Sequence, residues 1–227
     1  MHLLDLTQYL HELEQNNNRA WFVMNKPRYD ILRLEFLELV TEIISGIKKF
    51  DPALAGCEPK KCLFRINRDL RFGHNKAPYK TWFSAAMIPS GLKKPSDGGG
   101  PAYYFHINAD GVLRFGAGEY CPPTPRVRAI RQQIVEDPKG FAQLLKHKSI
   151  QSVYEGLIYD DVLIRPPKGF DIDHKHIDEI KLKSYIVRAE KQTKKIKPAE
   201  LPALLTENFK AAWPLVKWLR SVPFDHS

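Results

Sequence analysis

Apolar residues recur at every third or fourth position at the start of the chain, which is the spacing of a helix that buries one face. The apolar stripe consists of Leu3, Leu6, Leu10 and Leu13. We therefore expect an amphipathic helix that ends near Gln15. Asn17 or Asn18 is then expected to cap a second helix. Pro27 is expected to interrupt it, because proline lacks a backbone donor and disfavours helical geometry in the preceding residue.

A wider apolar stripe predicts a long helix over residues 29–47. The stripe consists of Tyr29, Leu32, Phe36, Val40, Ile43 and Ile47. Leu34, Leu37 and Ile44 widen it, so we expect this helix to be largely buried. A surface of that width needs a large apolar partner, and the strands predicted in the middle of the chain can supply it.

The middle of the chain has the patterns of β-strands. We predict short strands over residues 62–66, 84–88 and 184–189. Residues 102–108 and 112–120 are predicted to pair as a hairpin, because the Ala-Asp-Gly sequence between them is a strong turn signal. The glycine-rich residues 93–101 are expected to form a loop and not a phosphate-binding cradle, since no helix is predicted to follow them.

Helical patterns return towards the end of the chain. Helices are predicted over residues 126–136, after Pro138, near His174 and over residues 198–220. Thr124 is expected to cap the first of these, and Pro214 to bend the last. Central strands without regular βαβ alternation predict an α+β fold, with a mainly antiparallel mixed sheet packed against helices from both ends of the chain. We find no repeat or linker and predict a single domain over residues 1–227.

The chain is basic, with a formal charge of +9 at pH 7, and the positive charge lies in two blocks. Residues 60–80 hold seven lysines and arginines against one acid, Asp69, and residues 181–197 hold seven against Glu190. Clustered positive charge attracts phosphates and other anions more strongly than scattered charge does. Within the second block, Lys191 to Lys197 are interpreted as a solvated face. The first block is rich in arginine and interleaved with apolar residues, so we treat it as a candidate site.

The remaining sequence features exclude several classes of protein. No apolar run approaches the roughly 18 residues that a membrane-spanning helix needs, and the amino terminus does not resemble a signal peptide. The three cysteines form no C-x-x-C pair, which suits a reducing compartment. We therefore expect a cytoplasmic protein that does not bind membranes, and the sequence leaves its oligomeric state open.

No catalytic template fits the sequence, which lacks the signatures of serine hydrolases, zinc proteases, phosphate-binding loops and dinucleotide-binding folds. Whether the protein is an enzyme stays open, because four side chains could still serve as acid or base: Asp69, His74, Tyr79 and His106. The Asp/His-rich residues 171–178 are interpreted as a helix start capped by Asp173, since histidines two positions apart point away from each other on a helix. We expect no metal and no cofactor.

The basic stretch, residues 65–81, combines forked and ammonium cations with one carboxylate and a proline turn. Asp69 can hold one guanidinium in place and leave the other cations for a ligand, while Tyr79 closes the site. We predict that this stretch binds a small phosphate-bearing or carboxylated anion. The predicted ligand-binding residues are Arg65, Arg68, Asp69, Arg71, Lys76, Tyr79, Lys80 and His106.

Two other interpretations of the basic stretch stay open. Aromatic residues between the cations suit single-stranded nucleic acid, with Phe72, Tyr79, Trp82 and Phe83 as candidates to stack on bases. We do not favour this alternative, because such residues are more often part of the core. In the other alternative the stretch is a structural staple, in which buried Arg–Asp contacts fasten a strand to a loop.

Two motifs in this stretch follow each other at a fixed spacing: Arg68-Asp69-x-Arg71-Phe72, and then Lys76-x-Pro78-Tyr79-Lys80-Thr81. Together they resemble the signature of domain-of-unknown-function family 2461. The resemblance extends over most of the chain and includes Asn17-Asn18-Arg19-x-Trp21-Phe22 and Pro166-Pro167-Lys168-Gly169-Phe170. It implies no activity. Leu70, Gly73-His74-Asn75 and Ala77 depart from the family pattern, whereas the cationic residues are retained.

Overall fold

The computed structural model describes residues 1–69, 71, 76–89 and 99–223 of the chain. Its helices are α1 (Leu3–Gln15), α2 (Arg19–Met24), α3 (Lys26–Ile47), α4 (Pro59–Cys62), α5 (Thr124–Glu136), α6 (Pro138–Leu145), α7 (Lys148–Tyr154), α8 (Ile177–Ile180) and α9 (Leu201–Ser221). Short 3-10 turns lie at Pro52–Leu54, Thr193–Lys195 and Pro198–Glu200. Its strands are β1 (Trp82–Met87), β2 (Ala102–Asn108), β3 (Val112–Glu119) and β4 (Tyr185–Gln192).

The four strands form one antiparallel sheet in the order β1-β2-β3-β4, and helices pack on it. The predicted α+β fold is confirmed. The predicted hairpin is confirmed too, and Gly111 in its turn has a φ of +70°, which glycine adopts without strain. Along β2, buried side chains alternate with half-buried Tyr104, His106 and Asn108, so these three share one face of the sheet.

Contacts divide the chain into two compact units, and the strands of the sheet are divided between them. The first unit consists of Met1–Met87, Tyr104–Phe115 and Glu190–Glu207. The second consists of Ile88–Tyr103, Gly116–Ala189 and Asn208–Ser227. The expectation of a single domain stays a prediction.

In the first unit, α3 packs on the sheet as the sequence predicts. The ring of Phe36 lies 5.5 Å from that of Phe83 in β1 and 5.2 Å from that of Phe105 in β2. The helix is nevertheless buried on one face only. Leu34 is 59% exposed and Leu37 is half-buried, so the expectation that these two leucines widen the buried stripe is wrong.

The strand predicted over residues 62–66 is also wrong. Pro59 stands at the start of α4, where proline fits because the first helical residue needs no backbone donor. Beyond this helix the chain is extended but makes only isolated antiparallel bridges, from Leu63 to Ala85 and from Asn67 to Tyr79. The basic stretch therefore begins on an irregular segment.

In the second unit, the ends of several helices differ from the predictions. Thr124 is the first residue of α5 and Pro123 occupies the cap position, so Thr124 does not cap this helix. The helix expected near His174 is the short α8. His176 occupies its cap position and no side-chain cap bond forms there, so Asp173 does not cap it. α7 had no counterpart among the predicted helices.

The strands β3 and β4 approach each other very closely in the second unit. A Cβ atom on Gly116 would lie 2.1 Å from the carbonyl oxygen of Val187, and one on Gly118 would lie 2.1 Å from that of Tyr185. Glycine is therefore required at both positions.

Residues 93–98 of the predicted glycine-rich loop lie outside the described residues. Among the helices that the structure describes, none combines the length and the apolar character needed to cross a membrane.

Candidate anion-binding site

Within the basic stretch, Pro78 and the two residues after it return beside residues 66–68. The backbone N–H of Arg68 donates to the carbonyl of Pro78 at 2.9 Å, and that of Lys80 donates to the carbonyl of Ile66 at 2.8 Å. These two bonds hold residues 66–68 beside residues 78–80. Residues 70 and 72–75, which include His74 and Phe72, lie outside the described part of the chain.

A side chain from the amino-terminal part of the chain fixes this fold-back. The Nδ2 atom of Asn17 donates to the carbonyl of Tyr79 at 3.0 Å, and the backbone N–H of Tyr79 donates to Asn17 Oδ1 at 3.0 Å. The amide thus pairs with Tyr79 as a neighbouring strand would. From the sequence, Asn17 was expected only as one of two candidates to cap the second helix, and that cap is Asn18.

Replacing Asn17 by alanine is expected to lower the free energy of unfolding by about 1–3 kcal/mol, because two backbone groups of Tyr79 lose their partners. Urea denaturation measures this change. Asn16→Ala is the matched control, since the exposed Asn16 amide bonds only to the carbonyl of Glu12 within its own helix end. Equal losses in the two variants would contradict the role assigned to Asn17.

Asp69, the acid of the basic stretch, forms an ion pair with Arg71. The guanidinium donates from Nε to Asp69 Oδ1 at 3.0 Å and from Nη2 to Oδ2 at 2.8 Å, and the backbone N–H of Arg71 adds a bond of 3.2 Å. The side-chain hydrogen bonds from Arg71 contribute most and the backbone bond adds to them, and together they hold the pKa of Asp69 well below its usual range. The positive charge of Arg65 lowers it further. The side chain of Arg71 is 76% exposed.

Arg65 and Arg68 have no such partner. Within residues 1–69, 71, 76–89 and 99–223, no carboxylate forms an ion pair with either guanidinium. Arg65 is exposed and Arg68 is half-buried, and Lys76 further along the stretch is exposed. Because Asp69 pairs with Arg71, the guanidinium groups of Arg65 and Arg68 on the same fold-back have no carboxylate partner among the described residues.

Lys80 and His106 are connected through contacts of Phe64 and Tyr104. The ammonium of Lys80 donates to the carbonyl of Arg65 at 3.0 Å and lies 5.4 Å from the centre of the Phe64 ring. That ring meets Tyr104 edge-on at 6.1 Å, and the Tyr104 hydroxyl is 3.1 Å from Nδ1 of His106. A continuous series of contacts thus leads from the basic stretch to the half-buried face of β2.

The ring of Tyr79 is part of the core. It is 6% exposed and stacks on Phe22 with ring centres 4.1 Å apart. Phe83 is buried as well, against Tyr29 and Phe36. These two rings are therefore occupied by packing, which favours a structural role for them over contact with a ligand or a base.

Among the described residues, no group of three or more histidine, cysteine, aspartate or glutamate side chains could hold a metal ion. His176 in the second unit makes structural contacts. Its Nε2 lies 2.9 Å from the carbonyl of Pro138, and its ring meets Phe141 edge-on. The contacts observed for this histidine are therefore structural.

Comparison with known families gives one match. A family described as "Conserved hypothetical protein (DUF2461)" matches residues 5–218. No curated protein and no solved structure gives a significant match. Because the family match spans nearly the whole chain, the resemblance noted in the motifs around Arg68 and Tyr79 is confirmed at the level of the family. The chain belongs to the DUF2461 family of conserved hypothetical proteins.

Proposed function

We propose that the protein binds a small anion that carries a phosphate or carboxylate group, and that the basic stretch holds it. One observation carries the proposal. The carboxylate of Asp69 is engaged by Arg71, whereas no described carboxylate pairs with Arg65 or Arg68. The proposal assigns binding to this site and no reaction.

The proposed roles follow from the charges. Arg65 and Arg68 supply forked donors that match the oxygen atoms of a phosphate or carboxylate. Lys76 and Lys80 add positive charge. Asp69 keeps Arg71 in a fixed orientation at the edge of the site. Cations held on one short fold-back repel one another, so an anion among them stabilises the folded chain.

The structural-staple alternative is less well supported. A staple needs basic side chains buried against acids, and the ion pair present here, Arg71 with Asp69, is largely exposed to solvent. Exposed pairs of this kind contribute little to stability. We therefore expect Arg71→Ala to leave the free energy of unfolding nearly unchanged.

The nucleic-acid alternative requires the second basic block to be available as well. In that block Lys183 pairs with Asp161 at 2.7 Å and Arg188 with Asp160 at 2.8 Å. These pairs reduce the positive charge that a nucleic-acid backbone would meet. A small anion held by the first block alone fits the distribution of charge better.

The proposal predicts that at least one anion raises the melting temperature of the protein. A ligand at a hundredfold excess over its dissociation constant adds about 2.7 kcal/mol to the free energy of unfolding. A thermal-melt screen with phosphate, sulfate, nucleotides, sugar phosphates and dicarboxylates measures this. In Arg68→Ala the gain is expected to shrink, because the ligand loses one forked donor.

Lys48→Ala is the matched control. It removes the same charge from an exposed residue of the first unit that lies outside the basic stretch, so the gain from the anion should persist. The proposal fails if no anion stabilises the wild-type protein, or if both variants lose the gain equally. Tight binding of generic nucleic acid at physiological salt, weakening steeply as salt rises, would favour the nucleic-acid alternative instead.

We also infer that the protein works in a reducing compartment such as the cytoplasm. The Sγ atoms of the buried Cys57 and Cys62 lie 3.3 Å apart as thiols. The hydrogen bond from Cys57, together with burial, raises the pKa of Cys62. Neighbouring thiols of this kind are typical of proteins that are not exposed to oxidising conditions.

A further inference from the structure

A groove of about 320 Å³ lies in the first unit beside α3 and α4. Its lining residues are Asp30, Arg33, Leu34, Leu37, Lys60 and Leu63. The volume is at the lower end of the range for small-molecule sites. No motif in the sequence pointed to it, and it does not include the residues to which the anion site is assigned.

The apolar part of the groove is formed by three leucines that the core does not cover. Leu34 is 59% exposed, and Leu37 and Leu63 are half-buried. Covering exposed leucine side chains with an apolar ligand removes apolar area from water, which favours binding. A concave surface with these side chains favours a ligand with an apolar body.

The charged part of the groove consists of Arg33 and Lys60, with Asp30 beside them. To the residues that the structure describes, Arg33 donates only through Nη1, at 3.4 Å to the Tyr29 hydroxyl and at 3.3 Å to the carbonyl of Phe64. Its Nε and Nη2 atoms bond to no residue that the structure describes, and Lys60 has no ion pair there either. Nε and Nη2 together form the edge that binds a carboxylate through two parallel hydrogen bonds.

The acid of the groove is already engaged. Asp30 pairs with Lys26, with Nζ and Oδ2 2.5 Å apart. A doubly charged phosphate would also meet the carboxylate of Asp30, so a monoanion fits this lining better.

From this arrangement we propose that the groove binds an amphiphilic monocarboxylate, with its apolar chain on the leucines and its carboxylate on Arg33 and Lys60. This site is separate from the proposed anion site. Phe64 stands between them, since its carbonyl accepts from Arg33 while its ring faces Lys80. The inference goes beyond the proposed function and does not depend on it.

Titration of the full chain with octanoate, followed by ligand-observed NMR, tests the inference. Octanoate is expected to bind, and octanol, which has the same chain without the charge, is expected to bind at least about tenfold more weakly, because charge-assisted hydrogen bonds to the carboxylate are lost. Arg33→Met and Lys60→Met are each expected to weaken octanoate binding. Leu34→Gln, at an exposed position, is expected to weaken octanoate and octanol alike.

Lys61→Met is the matched control for Lys60→Met, because Lys61 lies one position further along α4 and pairs with Glu58 at 2.7 Å. It should leave octanoate binding unchanged. The inference is overturned if octanoate does not bind, if octanol binds as tightly as octanoate, or if Lys61→Met weakens octanoate as much as Lys60→Met does. Loss of the phosphate response in Arg68→Ala with octanoate binding intact would show that the two sites are independent.

Discussion

Replacing Arg126 by methionine is expected to lower the free energy of unfolding by about 3–5 kcal/mol, the usual cost of removing one partner from a buried ion pair. Arg126 is 5% exposed and Glu119 is fully buried. The guanidinium holds both oxygen atoms of Glu119, at 2.9 and 3.0 Å, and donates to the carbonyls of Leu219 and Val222. Without it, a buried carboxylate and two carbonyls at the end of α9 lose a donor. Urea denaturation measures the change.

Arg128→Met is the control for this prediction, since Arg128 lies on the same helix and is exposed. It is expected to change the free energy of unfolding by less than about 0.5 kcal/mol. The double variant Glu119→Leu/Arg126→Met is expected to be more stable than Arg126→Met alone, because no uncompensated charge is left inside. A loss in Arg126→Met as small as that in Arg128→Met would mean that the pair contributes no more than a surface contact.

Gly118→Ala is expected to lower the free energy of unfolding by about 2–6 kcal/mol, because backbone strain and overpacking act at the same residue. Gly118 has a φ of +128°, which side-chain-bearing residues rarely adopt, and its added Cβ would meet the carbonyl oxygen of Tyr185 and the Cα of Ile186 in β4. Relief would require β3 and β4 to separate. Thermal and urea denaturation of the variant measure the loss.

Gly100→Ala isolates the backbone part of this effect. Gly100 has a φ of +74°, but an added Cβ would meet no atom of the described residues within 4 Å. Gly100→Ala is therefore expected to lower the free energy of unfolding by about 1–3 kcal/mol, the lower part of the range expected for Gly118→Ala. If Gly118→Ala destabilises the protein no more than Gly100→Ala, the close approach of the two strands has no energetic weight.

The elements that could be predicted from the sequence are those with local causes. The helical repeat of leucines in α1 and the turn chemistry between β2 and β3 each lie within a few residues, so both elements were located correctly. The strand expected over residues 62–66 was wrong because alternation over five residues is also compatible with other structures. What decides its conformation is a proline at the start of α4 and a bridge from Leu63 to the distant Ala85.

The candidate site shows the same limit. The sequence identified the cations, the single carboxylate and the return of Tyr79 and Lys80 towards the start of the stretch, all of which lie close together in the sequence. It did not indicate which arginine would form an ion pair with Asp69, because three arginines lie within four positions of that carboxylate. It also could not show that Asn17 fixes the turn from 62 positions away, nor that Leu34 would lie outside the core.

The order of the strands has a consequence for a chain that is being synthesised. β1, β2 and β3 follow one another closely, whereas β4 comes after four intervening helices, α5 to α8. Until β4 has left the ribosome, the edge of β3 has unpaired backbone groups beside Gly116 and Gly118, with few side chains to shield them. Such an open edge can pair with another nascent chain. The delay before β4 pairs therefore leaves newly made copies open to aggregation while they are being synthesised.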